Sequence, residues 1–393
     1  MSEESRVSEA LERLVAEGDV TQPRAFWELQ FDLGLAFVGF PEGVGGLGVD
    51  PALQRAVDAR LREIGAPDAR RNNPIGLGFA APTIAVHGTD EQRQRYLRPM
   101  FIGEELWCQL FSEPGAGSDL AGLATRAVPD GNEWVVNGQK VWTSLAHMAD
   151  LAMLVARTDP DVPKHRGLSY FIVDMHAPGV DVRPLRQMTG EAEFNEVYLT
   201  DVRLDDDKRV GELGTGWRVA MTTLANERQT WAVPDLPRES GPIGRAVDVW
   251  RQGSHDDPVR RDELVRLWIR AEAYRLNSLR GAQLDADGMP GPGGSIGKMI
   301  SAELNKDVTS FTLNLLGADA LLYSGYDKKR AVDPDANPWS MADSQRAFLR
   351  TRANSIEAGS TEINKNIVAE RILGLPGDLR VDRDVPWREL KRS

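Results

Sequence analysis

Sulfur, positive charge and long apolar runs are what this sequence is short of. Its 393 residues include one cysteine, Cys108. No intrachain disulfide can therefore form, and the chain suits a reducing compartment, with the cytoplasm as the expected location. Cys108 lies in the apolar run ELWCQLFSEP, where a buried, unreactive thiol is expected rather than a nucleophile. Basic residues are outnumbered, 47 Lys and Arg against 59 Asp and Glu, for a formal net charge of −12. Nucleic acid and anionic membranes both reward a basic surface, so neither is expected as the main partner, while a local basic patch for an anionic cofactor is compatible with that balance. No apolar stretch approaches the ~20 residues needed to cross a bilayer. The opening MSEESRVSEA is polar and acidic and predicts no signal peptide. Metal-ligand spacing, a Ser-His-Asp order, basic-aromatic tracts and internal repeats are also missing.

What is present is a chain that can fold. Hydrophobic residues make up 41% of it and include 10 tryptophans, while charged residues are an ordinary 27%. Its length suits two or three domains. The texture changes twice along the chain, predicting an α+β, mostly α architecture: a helical domain over 1–108, a β domain over 109–215 and a helical bundle over 216–393. In the first region Val7, Ala10, Leu11, Leu14 and Val15 repeat at helical spacing and Gly18 ends the run. Thr89 followed by Gln92 predicts a capping box. Glycine-rich breaks interrupt this region at PEGVGGLGVD and NNPIGLG.

The middle region reads as short strands. Asn137-Gly138 in EWVVNGQKVWTS predicts a hairpin turn, and Asp130-Gly131 another just before it. LAMLVART, LSYFIVDM, VDVRPL and NEVYLTDVRL follow as further strands. In the third region Leu264, Leu267, Trp268, Ala271 and Leu279 share one helix face, and Ile300, Leu304, Val308, Phe311 and Leu315 another. DADGMPGPGGS between them predicts an exposed connector. A last helix is expected from about Gly359 to Gly374 and Pro376.

The stretch QLFSEPGAGSDLAGLATRA carries the most chemistry. Gly115, Ala116 and Gly117 precede Ser118 and Asp119, a loop with little side chain whose N–H groups can approach an anion or a planar ring. Alone, such a loop is as well read as a plain turn, and it lacks the strand–turn–helix setting of nucleotide fingerprints. Its company is more specific. NGQKVWTS, EVYLTDVRL, VGELGTGW, LANER and SIEAGSTEINKNIVAERILGLP follow in order.

Together, from PEGVGGLG to LGLP, these segments resemble the acyl-CoA dehydrogenase family of flavoproteins. The resemblance implies a helical domain, a barrel-like β domain and a four-helix bundle, with FAD as cofactor. It also implies acyl-CoA as substrate, an electron-transfer flavoprotein as acceptor, and a homo- or hetero-oligomer, dimer or tetramer. Position by position, Leu110, Phe111 and Ser112 match contacts to the flavin ring edge. Gly117 falls in the cofactor loop, and Ser118 matches a position near the CoA side of the cleft. Trp142, with Thr143 beside it, resembles the tryptophan covering the flavin, and Ser144 the hydroxyl near its reactive nitrogen. An ordinary core aromatic is the competing reading of Trp142. Ser360 and Glu362 match positions near the adenosine half, although Glu362 also suits a helix dipole. Arg251 corresponds to an arginine that reaches a neighbour's FAD. The Phe-Gly usually following that arginine is absent, and of a Gly-Gly-x-Gly turn only Gly317 remains.

Such an enzyme needs a carboxylate to remove the proton beside the thioester carbonyl. The resemblance offers two positions. One falls on Ala358, which cannot accept a proton. The other falls on Glu227, in TTLANERQTW. The residues three and four away from it are Thr223, Leu224, Thr230 and Trp231, none of them charged. Glu227 and Arg228 as solvated helix charges is the bland alternative. Glu357 is one residue out of place and has Arg350 and Arg352 upstream as candidate partners. His147, just after Ser144, is read as a hydrogen-bonded structural residue rather than a base, and His87 and His165 lie in turn-like contexts with no partner pattern. The chain is thus expected to be an acyl-CoA dehydrogenase with Glu227 as base. A non-catalytic subunit of a mixed complex, or a flavin oxidase or monooxygenase on the same fold, are the alternatives.

Overall fold

A computed structural model describes residues 2–230, 237–253, 255–284, 293–322, 343–377, 379 and 381–390, with the side chains of 228–230, 282–284 and 293 outside that set. Six helices come first: α1 (Glu3–Glu17), α2 (Pro23–Asp32), α3 (Gln54–Glu63), α4 (Ala69–Asn72), α5 (Ala81–His87) and α6 (Asp90–Phe101). Helix α1 buries Val7, Ala10 and Leu14, and Gly18 caps its end, as the spacing predicts. Thr89 accepts from the backbone N–H of Gln92, whose side chain bonds back to Thr89, completing the capping box of α6. NNPIGLG is less of a break than its glycines suggest: Gly76–Ala80 form a π-helical turn leading into α5. Asn73 organises it, donating to the Met100 and Glu105 carbonyls and accepting from the N–H groups of Gly76 and Trp107.

Eight strands follow: β1 (Trp107–Leu110), β2 (Arg126–Asp130), β3 (Glu133–Ser144), β4 (Leu151–Arg157), β5 (Leu168–Asp174), β6 (Val180–Leu185), β7 (Phe194–Asp205) and β8 (Arg209–Val210). They form one sheet in the order β6-β7-β3-β2-β4-β5-β8, with β1 parallel to β4 off that path. Strands β4 and β5 are buried on both faces, which is why they read as unbroken apolar runs rather than as alternations. Met153, Val155, Tyr170 and Ile172 meet the amino-terminal helices, in a core with Leu97, Met100 and Phe101. Ala152, Leu154, Phe171 and Val173 line the opposite face with Val136, Val197 and Cys108. Cys108 is fully buried, and burial pushes its thiol well above the usual range, in keeping with an inert residue.

One expected turn is not a turn. Asp130-Gly131 does join β2 to β3, with Gly131 at φ +65°, but Asn137-Gly138 lies inside the continuous strand β3. The glycine serves close approach instead: a Cβ at Gly138 would stand 2.2 Å from Thr125 Oγ1 and 2.8 Å from its Cα. Across from it, β7 bulges at Asp201, which takes φ +51°. Asn137 donates to Asp201 Oδ1 and accepts from the Asp201 N–H, both at 3.0 Å.

Six further helices complete the chain: α7 (Gly216–Thr230), α8 (Pro242–Gln252), α9 (Pro258–Leu284), α10 (Gly293–Leu316), α11 (Ser344–Thr351) and α12 (Thr361–Arg371). Helix α10 packs against α8, α9, α11 and α12. Their core joins Ile243, Ala246 and Val247 to Leu264, Leu267, Leu304, Val308, Phe311 and Leu315, while Ile300 of the expected α10 face stays partly exposed. Of the expected connector DADGMPGPGGS, residues 285–292 lie outside the described set and the rest already belongs to α10. By contact density the chain divides into two units: Met1–Pro184 with Phe194–Asn226 and Arg380–Ser393, and Leu185–Glu193 with Glu227–Leu379. No described helix is long and apolar enough to cross a membrane.

The crowding at Gly138 gives a direct test. Gly138→Ala is expected to lower stability by about 1–3 kcal/mol through overpacking against Thr125. An unchanged denaturation midpoint would show that the strands separate freely there.

Candidate active site

The end of β1 is fixed from beneath by a buried lysine. Lys140, on β3, has no exposed surface and donates to three acceptors: Phe111 O at 2.9 Å, Glu113 Oε1 at 2.9 Å and Val155 O at 3.0 Å. Three hydrogens on the ammonium match three oxygens, so the charge is buried without an unmet donor. Glu113 completes the arrangement by accepting from the N–H groups of Ala124 and Thr125. Burial pushes the Glu113 carboxyl up, but Lys140 and these donors outweigh it and hold the group below the usual carboxylate range. Burial first, with Arg157 adding to it, lowers Lys140 below the ordinary lysine value against the raising effect of Glu113.

The residues expected at the ring edge sit on this support. Leu110 pairs with Leu154 on β4, and Phe111 is buried edge-on to Tyr170 at 6.0 Å. Ser112 is half-buried, and its carbonyl accepts from the Val141 N–H at 2.9 Å. Glu113 and Ala116 exchange backbone bonds and close the turn that presents Gly115, Gly117 and Ser118. Gly117 and Ser118 are exposed, and a Cβ at Gly115 or Gly117 would meet nothing within 4 Å. Neither packing nor a positive φ demands glycine there, so what glycine provides is an open backbone.

Trp142 is not a core residue. Strand β3 alternates with Trp134, Val136 and Lys140 inward, and on strict alternation Trp142 would follow them. Between Lys140 and Thr143, however, β3 carries one residue more than β7. Trp142 adopts φ +60°, is 57% exposed and meets Phe194 edge-on at 5.9 Å. Thr143 turns inward in its place and its Oγ1 has no hydrogen-bond partner, while Ser144 is half-buried. The backbone thus holds the indole outward, on the left-handed region that a bulky residue rarely adopts.

In the helical unit, Ala358 and Gly359 take φ +51° and +85°. Ser360 then caps α12, accepting from the Ile363 N–H at 3.2 Å. Glu362 is exposed in the first turn, and Thr361 Oγ1 between them is shielded from solvent without a partner. Glu357 is held by Arg350 at 3.0 and 2.8 Å and by Asn354 at 2.7 Å, the ion pair expected for it. Arg251, in the last turn of α8, is exposed and reaches Glu239 at 3.4 Å.

Glu227 is half-buried near the end of α7. One turn earlier, Thr223 is fully buried and bonds to Thr83 at 3.0 Å and to Tyr170 at 3.1 Å, which fixes that part of the helix. Of the neighbours on which the sequence argument relied, Trp231 and the side chains of Arg228 and Thr230 lie outside the described residues. The histidines have structural settings. His87 bonds to Thr222 at 2.8 Å, with burial and then Arg218 lowering its pKa, His147 meets Asn195, and His165 packs on Trp217.

These features fit a flat, anionic cofactor of the FAD type. In the first unit an outward indole and an open glycine loop suit a flat ring and its charge, and in the second, taken by itself, an unpartnered hydroxyl stands at a helix start. Lys298, Thr361 and Asn364 were not singled out by sequence. Lys298 and Asn364 both donate to the Gly359 carbonyl, at 2.6 and 2.8 Å, and isolated polar residues on amphipathic helices carry no signal of that use. Among the described residues no group of acidic, histidine or cysteine side chains could hold a metal.

Comparison with known proteins agrees with this geometry. Family models described as the acyl-CoA dehydrogenase N-terminal, middle and C-terminal domains match residues 4–104, 108–202 and 214–373. The chain is 39% identical over 348 residues to acyl-CoA dehydrogenase IpdE1 of Mycobacterium tuberculosis, covering 88% of this chain and 86% of that one. Among solved structures, the Tcur3481-Tcur3483 steroid ACAD is 26% identical with a TM-score of 0.71, covering 96% of this chain and 94% of that one. The ChsE4-ChsE5 complex from Mycobacterium tuberculosis is 28% identical with a TM-score of 0.70, covering 96% and 98%.

The buried pair is open to test. Lys140→Met leaves Glu113 buried and uncompensated and is expected to cost about 3–5 kcal/mol, part of it recovered in the Lys140→Met/Glu113→Gln double variant. Because the folded Glu113 carboxyl lies below its unfolded value, its contribution is complete above the unfolded value and is lost as pH falls through the folded one. Denaturant titrations of wild type and double variant across the acidic range check both points. Additive single effects, or equal pH slopes, would contradict the account.

Proposed function

The chain belongs to the acyl-CoA dehydrogenase family, and on that premise we propose that it desaturates an acyl-CoA thioester to the trans-2-enoyl-CoA with Glu227 as base. The observation carrying this reading is the state of the competing carboxylate positions. Ala358 has no acid, and Glu357 beside it is engaged by Arg350 and Asn354. Glu227 remains, half-buried on a helix pinned one turn earlier through Thr223. Desolvation of a carboxylate raises its basicity, which suits removal of a proton beside a thioester.

The roles of the other residues follow from what each can offer. Bound FAD would supply the acceptor for the hydride that leaves Cβ. Trp142 excludes water from one side, with Thr143 and Ser144 supplying hydroxyls next to it. Leu110, Phe111 and Ser112 form the ring-edge contact, and Gly117 and Ser118 an open loop for the anionic parts of cofactor or CoA. Ser360, Thr361 and Glu362 serve the adenosine half, and Arg251 a neighbouring subunit's cofactor. An electron-transfer flavoprotein is the acceptor we assign. A base on α7 leaves only a methyl group at position 358, and the steroid enzyme among the solved relatives supports a bulky, ring-bearing acyl group. A mixed assembly is the second reading, supported by the two-chain complex among those relatives and by the missing Phe-Gly after Arg251.

Purified chain mixed anaerobically with linear, branched and ring-bearing acyl-CoAs provides the test. Wild type is expected to carry yellow flavin and to bleach fastest with a ring-bearing substrate. Glu227→Gln should retain flavin and bleach about 10²–10⁴-fold more slowly. Equal bleaching by the variant removes Glu227 as base. A colourless chain that gains flavin only with a second subunit establishes the mixed assembly, and rapid reoxidation by air would indicate an oxidase.

A further inference from the structure

The loop from Gly115 to Asp119 gains little rigidity from its own glycines, since a Cβ at Gly115 or Gly117 would meet nothing within 4 Å. Lys140 and Glu113 fix where it begins. Where it ends, a turn of 3₁₀ helix over Leu120–Gly122 is held by residues distant in sequence. Arg157, on β4 and 3% exposed, donates to Ala121 O at 2.6 Å and to Leu123 O at 3.2 Å. The carbonyl between them, Gly122 O, accepts from the indole Nε1 of Trp387 at 3.1 Å. Three consecutive carbonyls thus take their donors from one guanidinium and one indole. The guanidinium also stacks on that indole, with Arg157 Cζ 4.2 Å from the ring centre. Trp387 is itself buried, so the stack shields these bonds from water.

Trp387 comes from the carboxy-terminal segment, which follows α12 in the chain but belongs to the first unit. The backbone of that segment is laid along the connection between β4 and β5. Pro386 pairs with Pro163, the Trp387 N–H donates to Val162 O at 2.9 Å, and the Arg388 N–H donates to Pro160 O at 3.1 Å. Arg388 pairs with Asp161, and Lys164 joins Asp119 at 2.9 Å to Asp382 at 2.5 Å. The bond to Asp119 is the weaker fastening, because that side chain is 63% exposed. We propose that segment 382–390 is a clamp that preorganises the Gly115–Asp119 loop for the pyrophosphate of a bound nucleotide, with Trp387 as its positioning residue. The proposal rests on the reading of that loop as the seat of the anionic parts of FAD or CoA. A loop that brings backbone N–H groups up to an anion has to stay open, and a slack loop loses affinity to the cost of ordering it. Donors on the carbonyls next along the chain supply stiffness without filling the open face.

Two substitutions at the clamp and one in the loop test this. Trp387→Phe keeps a ring beside Arg157 but cannot donate to Gly122, and Trp387→Ala loses both contacts. Three quantities are read on the flavin-loaded protein well below its denaturation midpoint: amide hydrogen exchange over 115–123, FAD release on dilution by recovered fluorescence, and CoA affinity by calorimetry. Trp387→Ala is expected to exchange these amides faster and to bind one of the two nucleotides about tenfold more weakly. Trp387→Phe should shift the same readouts in the same direction by less, and carries the test alone if Trp387→Ala does not fold. Weakened FAD binding assigns the loop to the cofactor. Weakened CoA binding, seen also as a raised KM at unchanged kcat, assigns it to the substrate. A purely structural role for Trp387 would lower the denaturation midpoint and leave both affinities in place, and that result overturns the proposal. Gly117→Val distinguishes the two ways of failing. If it weakens binding where the Trp387 variants do not, the clamp is wrong and the reading of the loop stands. If it leaves both affinities unchanged, the reading of the loop fails and the proposal falls with it.

Discussion

A lysine ammonium cut off from water must find an acceptor for each of its hydrogens, and Lys140 finds them on three different segments. One is the carbonyl of Phe111 at the end of β1, one the carbonyl of Val155 in β4, and one the Glu113 carboxylate that also gathers the N–H groups of Ala124 and Thr125. Few interactions could specify so much with a single side chain. A hydrophobic residue would fill the space without dictating where those carbonyls point. The ion pair need not add to net stability to matter, because any displacement of β1 against β3 would strand a buried charge. The site is therefore framed by an electrostatic requirement beneath it as much as by its own residues.

That frame explains why much of the molecule was legible in the sequence and where legibility stopped. The capping box at Thr89, the helical faces of α1 and α10 and the unbroken apolar strands β4 and β5 all follow from local periodicity or local hydrogen bonding, which a sequence displays directly. Asn137-Gly138 misled because the same two residues that favour a tight turn also allow a tight crossing. Only the partner segment, with Thr125 packed against Gly138 and Asp201 bulged opposite Asn137, decides between them. Lys298 was silent for a similar reason. Its use depends on a carbonyl 61 residues away in sequence, and no spacing rule reaches that far.

The two helices that matter most for the candidate chemistry are secured in different ways. Helix α7 is pinned by hydroxyls, Thr222 to His87 and Thr223 to Thr83 and Tyr170. The turn before α12 is held by charge and amide donors, with Arg350 on Glu357 and with Lys298 and Asn364 sharing the Gly359 carbonyl. Neutral anchoring suits the role of base proposed for Glu227. Charged anchoring suits a turn that has alanine at 358 and has to stay in shape.

The extra residue in β3 between Lys140 and Thr143 works as a frameshift in side-chain alternation. Trp142, Thr143 and Ser144 do not occupy their faces by three independent choices, because all three inherit one offset. Replacing any of them alters a single contact. Adding or removing one residue in that interval would exchange the faces of all that follow at once, indole and hydroxyls together. For this strand, length is a more sensitive variable than residue identity, and a relative with every residue type preserved but one position lost there would present a different surface.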